Sequence, residues 1–87
     1  MIIPPFQKVK VISVGKPFQE IPSTNQWTIV IEIRYNEWEE EITLRQVGNS
    51  EMITAYFRDG QARTVSIQST SICDLEDGNE IEIGVAL

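Results

Sequence analysis

The densest group of side chains that could do chemistry is the run Glu37, Glu39, Glu40 and Glu41. Carboxylates this close could serve as an acid/base pair, hold a hard cation, or offer an acidic surface to a basic partner. Side chains alternate between the two faces of a strand. Glu39 and Glu41 then face water, with Arg34 placed to pair with Glu39, and Glu37 lies in a turn. Charge runs mostly solvate a face; the sharper reading is imitation of nucleic-acid phosphate or docking on a basic partner, which makes all four glutamates partner-contact candidates. Glu40 falls in phase with the apolar residues Trp38 and Ile42. Arg63 is the other inward charge near the same end, and a structural pair with Glu40 is expected before any catalytic one. Trp38 and the outward-facing Tyr56 complete the candidate partner-binding set, because aromatics are favoured at interface centres as well as in small cores.

Other reactive groups are scarce. The chain has no histidine and one cysteine, Cys73. The usual near-neutral general base is therefore absent, as are the ligands of a conventional zinc site. Cys73 has no neighbouring histidine or second cysteine to activate it and is expected as a small core residue. No EF-hand spacing occurs. These observations lead us to expect no catalytic, cofactor-binding or metal-binding residue, and a protein that is not an enzyme.

The 87 residues suffice for one domain. A net charge of −6 disfavours direct binding to nucleic acid. No apolar run reaches membrane-spanning length, and Met1–Pro5 lacks the features of a signal peptide. A cytoplasmic setting is expected, or a virion or host cytoplasm if the source is viral.

The elements that must position these residues are strands. β-Branched and aromatic residues recur with period two near Gln7–Val14, Trp27–Tyr35, Trp38–Gln46, Glu51–Arg58, Gln61–Gln68 and Glu80–Val85. The middle four thread as a meander. A turn at Asn36-Glu37 pairs Tyr35 with Trp38, Ile31 with Ile42 and Ile29 with Leu44. A turn at Gly48-Asn49 sets Leu44 opposite Ile53 and Ile42 opposite Ala55. A three-residue turn at Arg58-Asp59-Gly60, with Gly60 left-handed, keeps Ile53, Ala55 and Phe57 on one face with Val65 and Ile67. Trp27, Ile33, Tyr35 and Trp38 join that inner face. Thr28, Glu32, Arg34, Thr43, Arg45 and Thr64 fall outside, with Val30, Met52 and Tyr56 as apolar exceptions.

The two ends of the chain are complementary. Lys8 and Lys10 alternate with Val9 and Val11, and Glu80 and Glu82 alternate with Ile81, Ile83 and Val85. Pairing the terminal strands would match charge on one face and aliphatics on the other. The resulting fold class is all-β, about six antiparallel strands in a small sandwich or barrel built on a four-strand meander. The same pairing could also run between subunits. The apolar flanks Met1–Phe6 and Val85–Leu87 are expected under the sheet or on a neighbouring subunit. Ser71–Leu75 could form one helical turn. Gly15–Gln26 reads as an irregular loop, of the length at which loops are often functional.

The stretch Leu75–Ile83 resembles the last turn and strand of ubiquitin-like sulfur carriers over about nine residues. Those carriers also have a long helix and a terminal Gly-Gly, where this chain has none and ends Val85-Ala86-Leu87, so their function is not implied. The expected function is that of a non-enzymatic structural or assembly protein with a protein partner, acting as a homo-oligomer or in a larger complex. Virion and phage-tail components are analogous in type. The alternative is an acidic module that inhibits a nucleic-acid-handling protein by charge mimicry.

Overall fold

A computed structural model describes residues 3–87; the start of the apolar arm, Met1 and Ile2, lies outside the described residues. Six strands follow one another: β1 (Gln7–Val14), β2 (Gln26–Tyr35), β3 (Trp38–Val47), β4 (Ile53–Tyr56), β5 (Ala62–Ser66) and β6 (Glu80–Ala86). Each is antiparallel to the next, and β6 returns to pair with β1, closing an up-and-down barrel. Among the described residues no helix is long and apolar enough to cross a membrane.

Closure is made by the chain ends, within one chain. Lys8 stands opposite Glu82, Val9 opposite Ile81 and Lys10 opposite Glu80. Val9, Val11, Ile81 and Ile83 are buried against Ile29, Ile31, Ile33, Ile42 and Leu44. Each such side chain, fully buried, stabilises by roughly 1.5–3 kcal/mol. The lysines and glutamates oppose one another in register, but among the described residues no ion pair joins them, and exposed pairs of this kind add little energy.

The β2–β3 hairpin has the expected register, from Tyr35 opposite Trp38 to Ile29 opposite Leu44. Asn36 takes the left-handed conformation in its turn (φ 55°), which asparagine tolerates. The β3–β4 hairpin does not. Leu44 pairs with Ala55 and Gln46 with Ile53, two residues away from the expected register. The reason is a longer connection, Gly48–Met52, turned by a Ser50 N–H to Val47 carbonyl bond. A two-residue slip leaves every side chain on its original face, so the inner pattern survives. Strands β4 and β5 are also shorter than their sequence patterns.

At the third turn Gly60 has φ 88°, its N–H bonds Phe57 O, and Phe57 N–H bonds Gln61 O. Ile53 and Val65 are then directly opposite and buried, with Phe57 and Ile67 half-buried against the core.

Within the strands, three side chains depart from their expected places. Thr28 points outward in phase yet is buried, because the loop after β1 crosses it and Phe18 makes a two-bond bridge to it. Val85 is exposed, because a bulge in β6 between the partners of Arg63 and Val65 turns it off the inner face. Buried Gly84 sits in this bulge, where a Cβ would lie 2.1 Å from Thr64 Oγ1. Trp38 is 44% exposed, because it starts its strand at the barrel mouth.

Gly60→Val should lower stability by about 1–2 kcal/mol from backbone conformation alone, since no atom lies within 4 Å of a Cβ built there. Urea titration checks this; an unchanged midpoint would contradict the turn geometry.

Candidate functional site

At the mouth formed by the start of β1 and the β2–β3 and β4–β5 turns, Glu40 and Arg63 do not pair. Glu40 accepts from Trp38 Nε1 (3.1 Å) and from Arg58 N–H (3.3 Å), anchoring two turns at the rim. Arg63 is 4% exposed and gives its N–H groups to carbonyls: Nε and Nη2 to Gly84 O (3.0 and 2.6 Å), Nη1 to Ile3 O (2.5 Å). Its guanidinium lies over the Phe57 ring, 5.8 Å from the centroid. The expected partnership fails because the β6 bulge and the N-terminal segment present carbonyls to Arg63. Desolvation pushes the Arg63 pKa down from its ordinary value, and Asp59 pulls it back up. A lowered value in a base means folding disfavours the charged form. The penalty is constant below the folded-state pKa and is relieved as pH rises through it.

The opposite end is closed by Gln46, in phase with Ile42 and Leu44 and buried. Its Oε1 accepts from Ile72 N–H (2.9 Å), and its Nε2 donates to Ser50 O and Thr70 O (both 2.8 Å). This amide ties the 3-10 turn at Ile72–Asp74 to the β3–β4 connection and lets Ile72 plug the barrel. Cys73, expected in the core, is only half-buried, because Ile72 takes the inward position. Beside the clamp lies a 520 Å³ cleft of mixed lining that includes Asn49, Ser50, Ile53, Ser66, Ile67 and Thr70. The interior itself is filled by aliphatic side chains.

The remaining candidates lie on the outer wall. Glu39 forms an ion pair with Arg34, as expected. Glu41 is exposed and directly opposite Glu32. Glu37 is exposed in the turn. Tyr56 is partly exposed on β4 beneath Arg45, whose guanidinium carbon is 4.8 Å from the ring centroid. Arg45 also bonds Glu20 of the loop after β1 at 3.0 Å, and its buried Nε has no partner. Thr28 Oγ1, on the residue facing Arg45 across the ladder, is likewise buried and unpartnered. A 220 Å³ groove runs beside Arg45, walled by Val47, Met52, Thr54 and Tyr56.

The acidic residues do not gather. Glu80 and Glu82 on β6 stand three strands from Glu39 and Glu41 on β3 in either direction around the barrel. Lys8, Lys10 and Arg34 lie between them on one side, with Glu80, Lys10, Arg34 and Glu39 in one transverse row. Among the described residues no three His, Cys, Asp or Glu side chains come together to hold a metal.

Sequence reasoning missed the Arg45 surface and the Gln46 clamp. Gln46 carried a usable signal, a polar residue in an apolar phase. Arg45 looked like any outward charge. The chain matches no protein-family model, no curated protein and no solved structure.

Gln46→Leu should cost about 2–4 kcal/mol, because it strands Ile72 N–H and Thr70 O inside the fold. Hydrogen exchange at Ile72 should accelerate more than at Ile31. Equal acceleration, or none, would show that the amide is not the clamp.

Proposed function

We propose that this chain is a non-enzymatic assembly domain that works as a homo-oligomer or as a component of a larger complex. The observation that supports this reading most strongly is the outer surface around Arg45. Met52, Val47 and Ile21 are 70%, 58% and 59% exposed there, and Phe18 and Tyr56 are partly exposed. Aromatic, methionine and arginine side chains on one stretch of wall have the composition of an interface centre. The filled core leaves side chains on the outside as the means of contact. Docking one small rigid barrel on another surface is a role that virion and phage-tail components share with many other complexes.

Charge mimicry finds less support, because the acids are divided between opposite sides of the barrel with bases between them on one side. A mimic of phosphate backbone needs a continuous acidic face.

Light scattering across a concentration series tests the reading. The wild type should show a mass above one chain that falls on dilution. Met52→Asp combined with Val47→Asp should lower that mass without unfolding the barrel, since both side chains are exposed. A wild-type mass of one chain at every concentration would remove the homo-oligomer. Charge reversal at Glu39 and Glu41 in a binding assay against basic nucleic-acid-handling proteins would then be the next measurement.

A further inference from the structure

The outward row of β3 reads Glu39, Glu41, Thr43, Arg45, Val47. Across the ladders Thr43 is flanked by Val30 on β2 and Tyr56 on β4. One step toward the mouth, Glu41 stands directly opposite Glu32, a like-charge pair that is destabilising in a sheet. Neither glutamate belongs to an ion pair among the described residues. One step the other way stands Arg45. It has five N–H donors, of which one bonds Glu20 and the buried Nε bonds nothing. An unrelieved negative pair and an under-used cation are thus equally spaced about the row Val30–Thr43–Tyr56.

From this self-complementary charge pattern we infer that two copies of the chain associate face to face through the outer surface of β3. A two-fold axis runs along the row Val30–Thr43–Tyr56. Rotation about that axis reverses the direction of β3. It places Glu41 of each copy against Arg45 of the other, and Tyr56 beside Tyr56 of the second copy. An isologous contact of this kind makes every favourable pairing twice and closes at two chains. The guanidinium, over the Tyr56 ring and bonded to Glu20, lies on the outer wall beside the axis, within reach of the incoming carboxylate. The closed barrel has no free strand edge, so association by side chains takes the place of strand exchange.

This inference rests on the assembly reading above, and charge-swap variants separate the two. Glu41→Arg and Arg45→Glu each set like charges against one another twice in a symmetric pair. Each variant alone should weaken self-association by roughly a hundredfold. Mixing the two should restore a heterodimer, because both contacts are then between opposite charges. The double variant Glu41→Arg/Arg45→Glu should also pair with itself. Thr43→Asp, which sets a charge against its own copy on the axis, should dissociate the pair and resist rescue by mixing. Analytical ultracentrifugation reads the masses, and circular dichroism melts verify that each variant is folded. Should Arg45→Glu fail to fold, Glu41→Arg and Thr43→Asp, both at outward positions, still decide the matter. A wild-type oligomer indifferent to these substitutions would overturn the β3 contact and leave the assembly reading standing. Monomeric wild type would overturn the contact and the homo-oligomer together. Loss of association in both single variants without rescue on mixing would overturn the two-fold geometry.

Discussion

The pairing of the first strand with the last is the constraint on which the rest of this structure depends. A meander of six short strands has two open edges, and an 87-residue chain without a disulfide has little core to spare. Joining β1 to β6 removes both edges and brings Val9 and Val11 onto Ile81 and Ile83 in the middle of the aliphatic cluster. The contact is as non-local as the chain permits, so its loop-closure entropy is large and must be offset by burial. The alternating lysines and glutamates stand opposite one another without forming an ion pair among the described residues, so the aliphatics carry the contact.

Closure also dictates what happens at the two barrel ends, where a cylinder of side chains would otherwise stand open. At one end Arg63 reaches from β5 to carbonyls of the N-terminal segment and the β6 bulge. At the other, Gln46 gathers the 3-10 turn and the β3–β4 connection. Both are polar side chains in inward phase, and both use several donors or acceptors on backbone groups that burial would leave unpaired. The buried arginine is tolerated because its neighbours are carbonyl dipoles and an aromatic face, although desolvation still disfavours its charge.

Much of the fold was legible in the sequence, because period-two alternation and complementary ends are properties of the strands themselves. The β2–β3 register followed from one turn, and the Gly60 bulge followed from refusing to expose Val65 and Ile67. The β3–β4 register was not legible: Gly48-Asn49 offers a tight turn, but Gln46 captures Ser50 O and lengthens the connection. Thr28 was misplaced because its cover comes from Phe18, ten residues away. Val85 was misplaced because a bulge reverses phase without a sequence mark beyond Gly84. For the candidate site, Glu39–Arg34 was legible as a cross-strand neighbour, whereas Glu40–Arg63 was not, because pairing depends on which carbonyls the bulge presents. Arg45 gains its surroundings from a loop, a neighbouring strand and a turn, none adjacent to it in sequence.

A closed barrel ties stability to contacts within the chain and leaves association to the outer wall, so the two should be separable. Hydrogen exchange at Phe6, Val11 and Gly78, whose N–H groups bond Ile83 O, Asn79 O and Val11 O along the β1–β6 seam, tests this most directly. These amides should be protected, by the same factor in dilute and in concentrated protein. Protection that disappears on dilution would mean that the terminal strands pair between subunits, and would contradict closure within one chain.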